Sequence, residues 1–142
     1  MKKSIIFAIL FMMAGSAVLA QSKGKVEHLN YKEFINKVWD IEKNSNEYVF
    51  KGKTPAIVDF YADWCGPCRK AAPIMEKLAS DYEGRLSIYK VNIDQEKDLA
   101  RAFNVKSIPT MLFLPMEGKP MIQVGLMSES EYRKVVEEQL LK

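Results

Sequence analysis

The stretch Ala56-Ile57-Val58-Asp59-Phe60-Tyr61-Ala62-Asp63-Trp64-Cys65-Gly66-Pro67-Cys68 decides the reading of this chain. Its first seven residues are an apolar run holding one carboxylate, the pattern of a strand buried on both faces. Its end carries the only two cysteines of the 142 residues, three positions apart. Helix-forming sequence follows directly, so both thiols fall on the first turn of a helix. There the unpaired backbone N–H groups and the helix dipole favour negative charge. The thiolate is the reactive form of cysteine, and a free thiol with a pKa near ~8.5 supplies little of it at neutral pH. Two thiols at this spacing close a disulfide and reopen it, which is a two-electron switch. Cys65 comes first, where the dipole acts most strongly and exposure is expected to be greatest, so it is the expected attacking sulfur. Cys68, one helical turn later, is placed to attack the mixed disulfide and release the substrate.

Two other uses of the pair are weaker. A zinc site takes about four ligands, and the chain offers no third cysteine and one histidine, His28. No metal is expected. A purely structural disulfide closing so short a loop would add only about 2 kcal/mol. His28 itself is read as an ordinary residue of the first strand, far in sequence from the cysteines.

Val58 to Lys70 resembles the active-site segment of the thioredoxin family, and the likeness continues downstream. Ala72-Pro73 resembles the proline of the active-site helix, and Lys90-Val91-Asn92-Ile93-Asp94 the strand that follows. Ser107-Ile108-Pro109-Thr110 resembles the loop with the family's cis-proline, and Val124-Gly125-Leu126 the glycine near the last strand. The likeness runs over about residues 25–142. It implies an α/β thioredoxin fold, a central mixed β-sheet flanked by helices on both faces. It also implies a first thiol with a pKa near ~7, as in other members of the family.

The residues by themselves give an alternation of strands and helices. Strands are expected at Lys25–Leu29, 56–62, Arg85–Ile93, Thr110–Leu114 and Met121–Leu126. Helices are expected at Tyr31–Ile41 with Asn30 capping Glu33, and at Cys65–Tyr82 with a kink at Pro73. Two more follow, at Gln95–Phe103 capped by Asp94, and from the Ser128–Glu131 capping box through Leu141. The segment around residues 41–53 is longer than in a typical thioredoxin and is read as a longer first helix plus an edge strand or loop. No insertion separates Gly84 from Arg85-Leu86-Ser87. That sets the chain apart from the cytochrome-maturation branch of the family.

Residues 1–20 read as a secretory signal peptide: Lys2 and Lys3, an apolar run from Ile5 to Met13, then small residues with Val18 and Ala20 at the −3 and −1 positions. The domain would then span 21–142, in the periplasm or secreted. Ile5–Ala20 is short for a spanning helix, so a membrane anchor is the weaker reading. Without the leader the net charge falls from +3 to +1, since two lysines leave and no acid does. No basic stripe points to nucleic acid.

Asp59 interrupts an apolar strand, where burial should raise its pKa. Its place relative to the cysteines suggests an acid-base group that moves a proton as Cys68 reacts. The resemblance implies that Lys90 is its charged partner. It also implies that Ile108 and cis-Pro109 present an extended substrate segment, and that Trp64, Gly66, Pro67 and Gly125 shape the docking surface. No bound cofactor is implied, because the cysteine pair is the redox centre.

The expected activity is thiol–disulfide exchange on exported proteins with cysteines. The protein would act as a monomer supplied with electrons by a membrane protein. A disulfide oxidant or isomerase, or a binding module with dispensable thiols, stays open.

Overall fold

The computed structural model describes residues 24–142. The expected signal peptide over 1–20 and the expected domain start at 21 lie outside the described residues. Strands and helices alternate: β1 Val26–His28, α1 Tyr31–Lys37, β2 Ala56–Tyr61, α2 Gly66–Asp81, β3 Ser87–Asn92, α3 Lys97–Ala102, β4 Thr110–Leu114, β5 Met121–Val124 and α4 Glu129–Val135. The sheet order is β1-β3-β2-β4-β5. β1, β3 and β2 run parallel, β4 is antiparallel to β2, and β5 is antiparallel to β4. This is the mixed sheet that the resemblance implies.

Strand β2 lies at the centre because both of its faces are apolar. Ile57 packs on one side with Ala71, Met75 and Leu78 of α2 and Tyr132 of α4. Val58 and Phe60 pack on the other with Phe34 of α1 and Leu99 of α3. Alternation along the strand therefore puts Asp59, two residues past Ile57, on the side that α2 covers.

Helix α1 starts where expected: the Asn30 side chain accepts from the Glu33 N–H at 3.0 Å, and Glu33 accepts from the Asn30 N–H at 2.9 Å. It ends at Lys37, not Ile41. Beyond it the Lys51 N–H donates to the Val38 carbonyl at 2.8 Å, and Trp39 bridges Phe50. The returning segment thus takes up backbone groups that a longer helix would have used. Residues 41–53 form a loop pinned by aromatic packing, with Trp39 against Tyr48 and Phe103 at 5.2 and 5.7 Å. The loop is also tied to the end of β4, because the Tyr48 hydroxyl donates to the Pro115 carbonyl at 2.8 Å.

Two further helix ends differ from expectation. Asp94 does not cap α3, which begins after Glu96 without a side-chain cap. The Asp94 carboxylate is taken by the Trp64 indole N–H at 2.8 Å instead. Helix α4 opens with the Ser128–Glu131 capping box but gives way at Val136–Leu140 to a wider π-helical turn. There the Leu141 N–H reaches the Val136 carbonyl at 2.9 Å, while Val136 and Leu140 are buried against the α2 side of the sheet.

Candidate active site

Strand β2 ends at Tyr61, and four residues later Cys65 begins the turn into α2. Cys65 is the N-cap, in extended conformation, and its sulfur accepts a hydrogen bond from the Cys68 N–H at 3.2 Å. A sulfur therefore fills the place that a serine or aspartate oxygen usually takes at a helix start. Pro67 in the first turn has no N–H to leave unpaired. Cys65 and Cys68 are joined as a disulfide, with Cα atoms 5.2 Å apart. Helix α2 runs on through Pro73, whose missing N–H leaves the Arg69 carbonyl without its usual donor.

Exposure does not separate the two cysteines as expected. Both are 4% exposed, because Tyr61, Ile93 and Ile108 pack around the pair. What separates them is position. The Cys65 sulfur lies 3.8 Å from the Ile108 carbonyl oxygen, on the loop that enters β4. The Ile108–Pro109 peptide is cis. The Pro109 carbonyl accepts from the Gly125 N–H at 2.8 Å, tying that loop to the end of β5. Gly125 has φ +91°, while a Cβ there would meet nothing within 4 Å. The glycine is required by backbone conformation and not by space.

Asp59 is 2% exposed, and its Oδ1 has no hydrogen-bond partner among the described residues. Burial pushes its pKa up to about 7, against the opposing pull of Lys90. Lys90 stands directly opposite Asp59 in the β2–β3 ladder. A buried carboxyl that titrates near neutrality can hold or release a proton under mild conditions.

Trp64 is 67% exposed, so core packing does not account for it. Its indole N–H donates to the Asp94 carboxylate at 2.8 Å. Gly66 sits on the first helical turn with only the Arg69 guanidinium within 4 Å of a would-be Cβ. Among the described residues no group of three His, Cys, Asp or Glu side chains converges on a point where a metal ion would sit.

The structure thus gathers Cys65, Cys68, Ile108 and Pro109 at one end of the sheet, with Trp64, Gly66, Pro67 and Gly125 around them and the Asp59–Lys90 pair in the ladder behind. Sequence reasoning missed three neighbours. Asp94 was read as a helix cap. Tyr61, two residues past Asp59 on the same face, lies under the Lys90 ammonium at 4.0 Å. His28, set aside as remote, is opposite Lys90 on β1 and 3.3 Å from the Tyr61 hydroxyl. Strand alternation pointed to Tyr61, but only the sheet order brings β1 beside β3.

A cysteine pair at a helix N-terminus, beside a cis-proline loop on a mixed sheet, defines a thiol–disulfide oxidoreductase. The thioredoxin family profile matches residues 25–138. The chain is 44% identical over 110 residues to a thioredoxin of Borreliella burgdorferi, covering 78% of this chain and 93% of that one. It is 31% identical over 157 residues to the chloroplastic M-type thioredoxin of Pisum sativum, covering 96% and 91%. Among solved structures, chloroplastic thioredoxin z superposes with a TM-score of 0.66 at 25% identity, covering 80% of this chain and 93% of that one. The chain belongs to the thioredoxin family and is a disulfide oxidoreductase of that type.

Proposed function

We propose that this protein reduces or exchanges disulfides in exported proteins through a Cys65–Cys68 dithiol cycle, as a monomer outside the cytosol. The observation that carries the cycle is the Cys65 sulfur itself. It caps a helix N-terminus and faces the Ile108 carbonyl, where a substrate sulfur would approach beside an extended strand partner. The export reading rests on the sequence of residues 1–20, with its basic start, apolar run and small-residue end.

In this cycle the Cys65 thiolate attacks one sulfur of a substrate disulfide. A mixed disulfide forms, and the other substrate sulfur leaves as a thiolate that takes a proton. The Asp59 carboxylate then accepts the Cys68 proton. The Cys68 thiolate attacks the Cys65 sulfur, closing Cys65–Cys68 and releasing the second substrate thiolate. Asp59 then passes the Cys68 proton through solvent to the departing thiolate, and the proton released when Cys65 ionised balances the other. The substrate thus gains two electrons and two protons, and the dithiol loses the same. Lys90 moderates the basicity of Asp59. Ile108 and Pro109 align the substrate backbone, and Trp64, Gly66, Pro67 and Gly125 form the surface it lies on. A dithiol on a membrane electron-transfer protein restores the reduced state.

The experiment has two arms. Expression of the full chain in a Gram-negative host, with fractionation and N-terminal mass determination, should find the protein in the periplasm beginning at Gln21. A full-length cytosolic product overturns export. Titration of the mature protein against a thiol–disulfide buffer should give a potential near about −270 mV, a family value, whereas one above roughly −180 mV overturns the reductant direction.

A further inference from the structure

Tyr61 connects two features of the site that are otherwise separate. It follows Asp59 by two residues on β2 and so shares its face of the sheet. The Lys90 ammonium lies over its ring, 4.0 Å from the centroid. Its hydroxyl is 3.3 Å from His28 Nδ1, and the two rings meet edge to face at 6.0 Å. His28, Lys90 and Asp59 occupy one row across β1, β3 and β2.

Lys90 needs such a support. A lysine carries a flexible four-carbon stem and a strongly hydrated charge, so a partly exposed ammonium drifts towards water unless something holds it. Among the described residues no carboxylate comes within ion-pairing distance of Lys90. The tyrosine face is what the ammonium meets, and the negative face of an aromatic ring attracts a cation placed over it.

We propose that Tyr61, anchored by His28, is a positioning residue: its ring holds the Lys90 ammonium on the face of the sheet that carries Asp59 and so sets the field in which the Asp59 carboxyl exchanges its proton. The inference rests on the reading of Asp59 as the proton carrier of the cycle. Other charges near this row have their own places. Tyr132 of α4 is buried in the core on the side of the sheet that carries Asp59, and Asp63 lies on the loop after β2, two residues past Tyr61. Glu33 and Glu96 line the polar cleft beside His28 and Lys90, but their carboxylates are taken by the Asn30 and Tyr31 N–H groups. The cysteines are uncharged as the disulfide. Lys90 is thus the cation opposite Asp59, and Tyr61 governs where it stays.

The test is carbon-13 NMR titration of the Asp59 carboxyl in the oxidised protein, a readout independent of turnover. Lys90→Met should move the Asp59 midpoint up by about one pKa unit. Tyr61→Leu should reproduce most of that rise. Tyr61→Phe, which keeps the ring and loses the His28 link, should give a smaller rise matched by His28→Gln. The double variant Tyr61→Leu with Lys90→Met should rise no further than Lys90→Met alone. A wild-type midpoint in Tyr61→Leu, or rises that add in the double variant, overturns the proposal. The underlying reading fails differently: if Asp59→Asn exchanges disulfides at the wild-type rate, Asp59 carries no proton in the cycle and the proposal falls with it.

Discussion

Asp59 on β2 stands directly opposite Lys90 on β3, yet Oδ1 of that buried carboxyl finds no hydrogen-bond partner among the described residues. A fold that optimised stability alone would place an apolar residue there, as it does at Ile57, Val58 and Phe60 on the same strand. The unsatisfied carboxyl is a standing cost, and its pH dependence can be read out directly.

Stability should fall as pH rises between about 4 and about 7. The folded state keeps the Asp59 proton up to about 7, while the unfolded chain releases it near the ordinary 3.8. Between those values the folded protein binds more protons than the unfolded one, so each step up in pH favours unfolding. The difference corresponds to at most about 4 kcal/mol, reached above the folded pKa. Asp59→Asn should remove this slope and be the more stable protein at pH 8, with no such advantage at pH 3. Urea unfolding of the oxidised forms across that range checks it, and an offset independent of pH would contradict it.

The two cysteines should give opposite phenotypes. Cys68→Ser leaves the attacking sulfur without its resolving partner and should accumulate mixed disulfides with a substrate protein. Cys65→Ser should accumulate none and lose insulin-disulfide reduction altogether. Intact mass under non-reducing conditions distinguishes the adducts, and the reverse pattern would exchange the assigned roles.

Trp64→Ala should raise KM for a protein disulfide several-fold with kcat little changed. The ring is mostly exposed and held through its N–H by Asp94. Its removal should therefore cost under about 0.5 kcal/mol in stability, as surface substitutions usually do. A large loss of Cm in urea would mean that Trp64 supports the fold and not the docking surface.

Gly125→Ala and Gly66→Ala should differ although neither Cβ would clash. Gly125 holds φ +91°, a conformation that costs an L-residue roughly 1–2 kcal/mol. Gly66 is helical with only a flexible Arg69 tip nearby, and alanine there should be neutral or slightly stabilising. Thermal unfolding of the two variants decides the matter, and equal losses would refute the conformational account.

Much of the fold was legible because the signals are local. The apolar run at β2 has a two-sided pattern, and the capping pairs Asn30–Glu33 and Ser128–Glu131 satisfy backbone groups within four residues. The errors came where a distant partner outbid a local one. Asp94 has the sequence position of a cap but bonds the Trp64 indole thirty residues away. Val38 could have continued α1, but its carbonyl is taken by Lys51 and Trp39 pairs with Phe50.

The sequence by itself determined the chemistry. Two cysteines three apart after a buried strand admit few uses, and a carboxylate in that strand is perturbed wherever the strand is buried. Tertiary structure decided which groups surround them. Sheet order put β3 beside both β2 and β1, so that Lys90, His28 and Tyr61 meet across residues far apart in the chain. The loop before β4 brought the Ile108 carbonyl to the Cys65 sulfur. Such contacts depend on strand order and register, which hydrophobic pattern constrains only face by face. Reactive groups announce themselves by type and spacing, whereas their neighbours are set by how the layers pack.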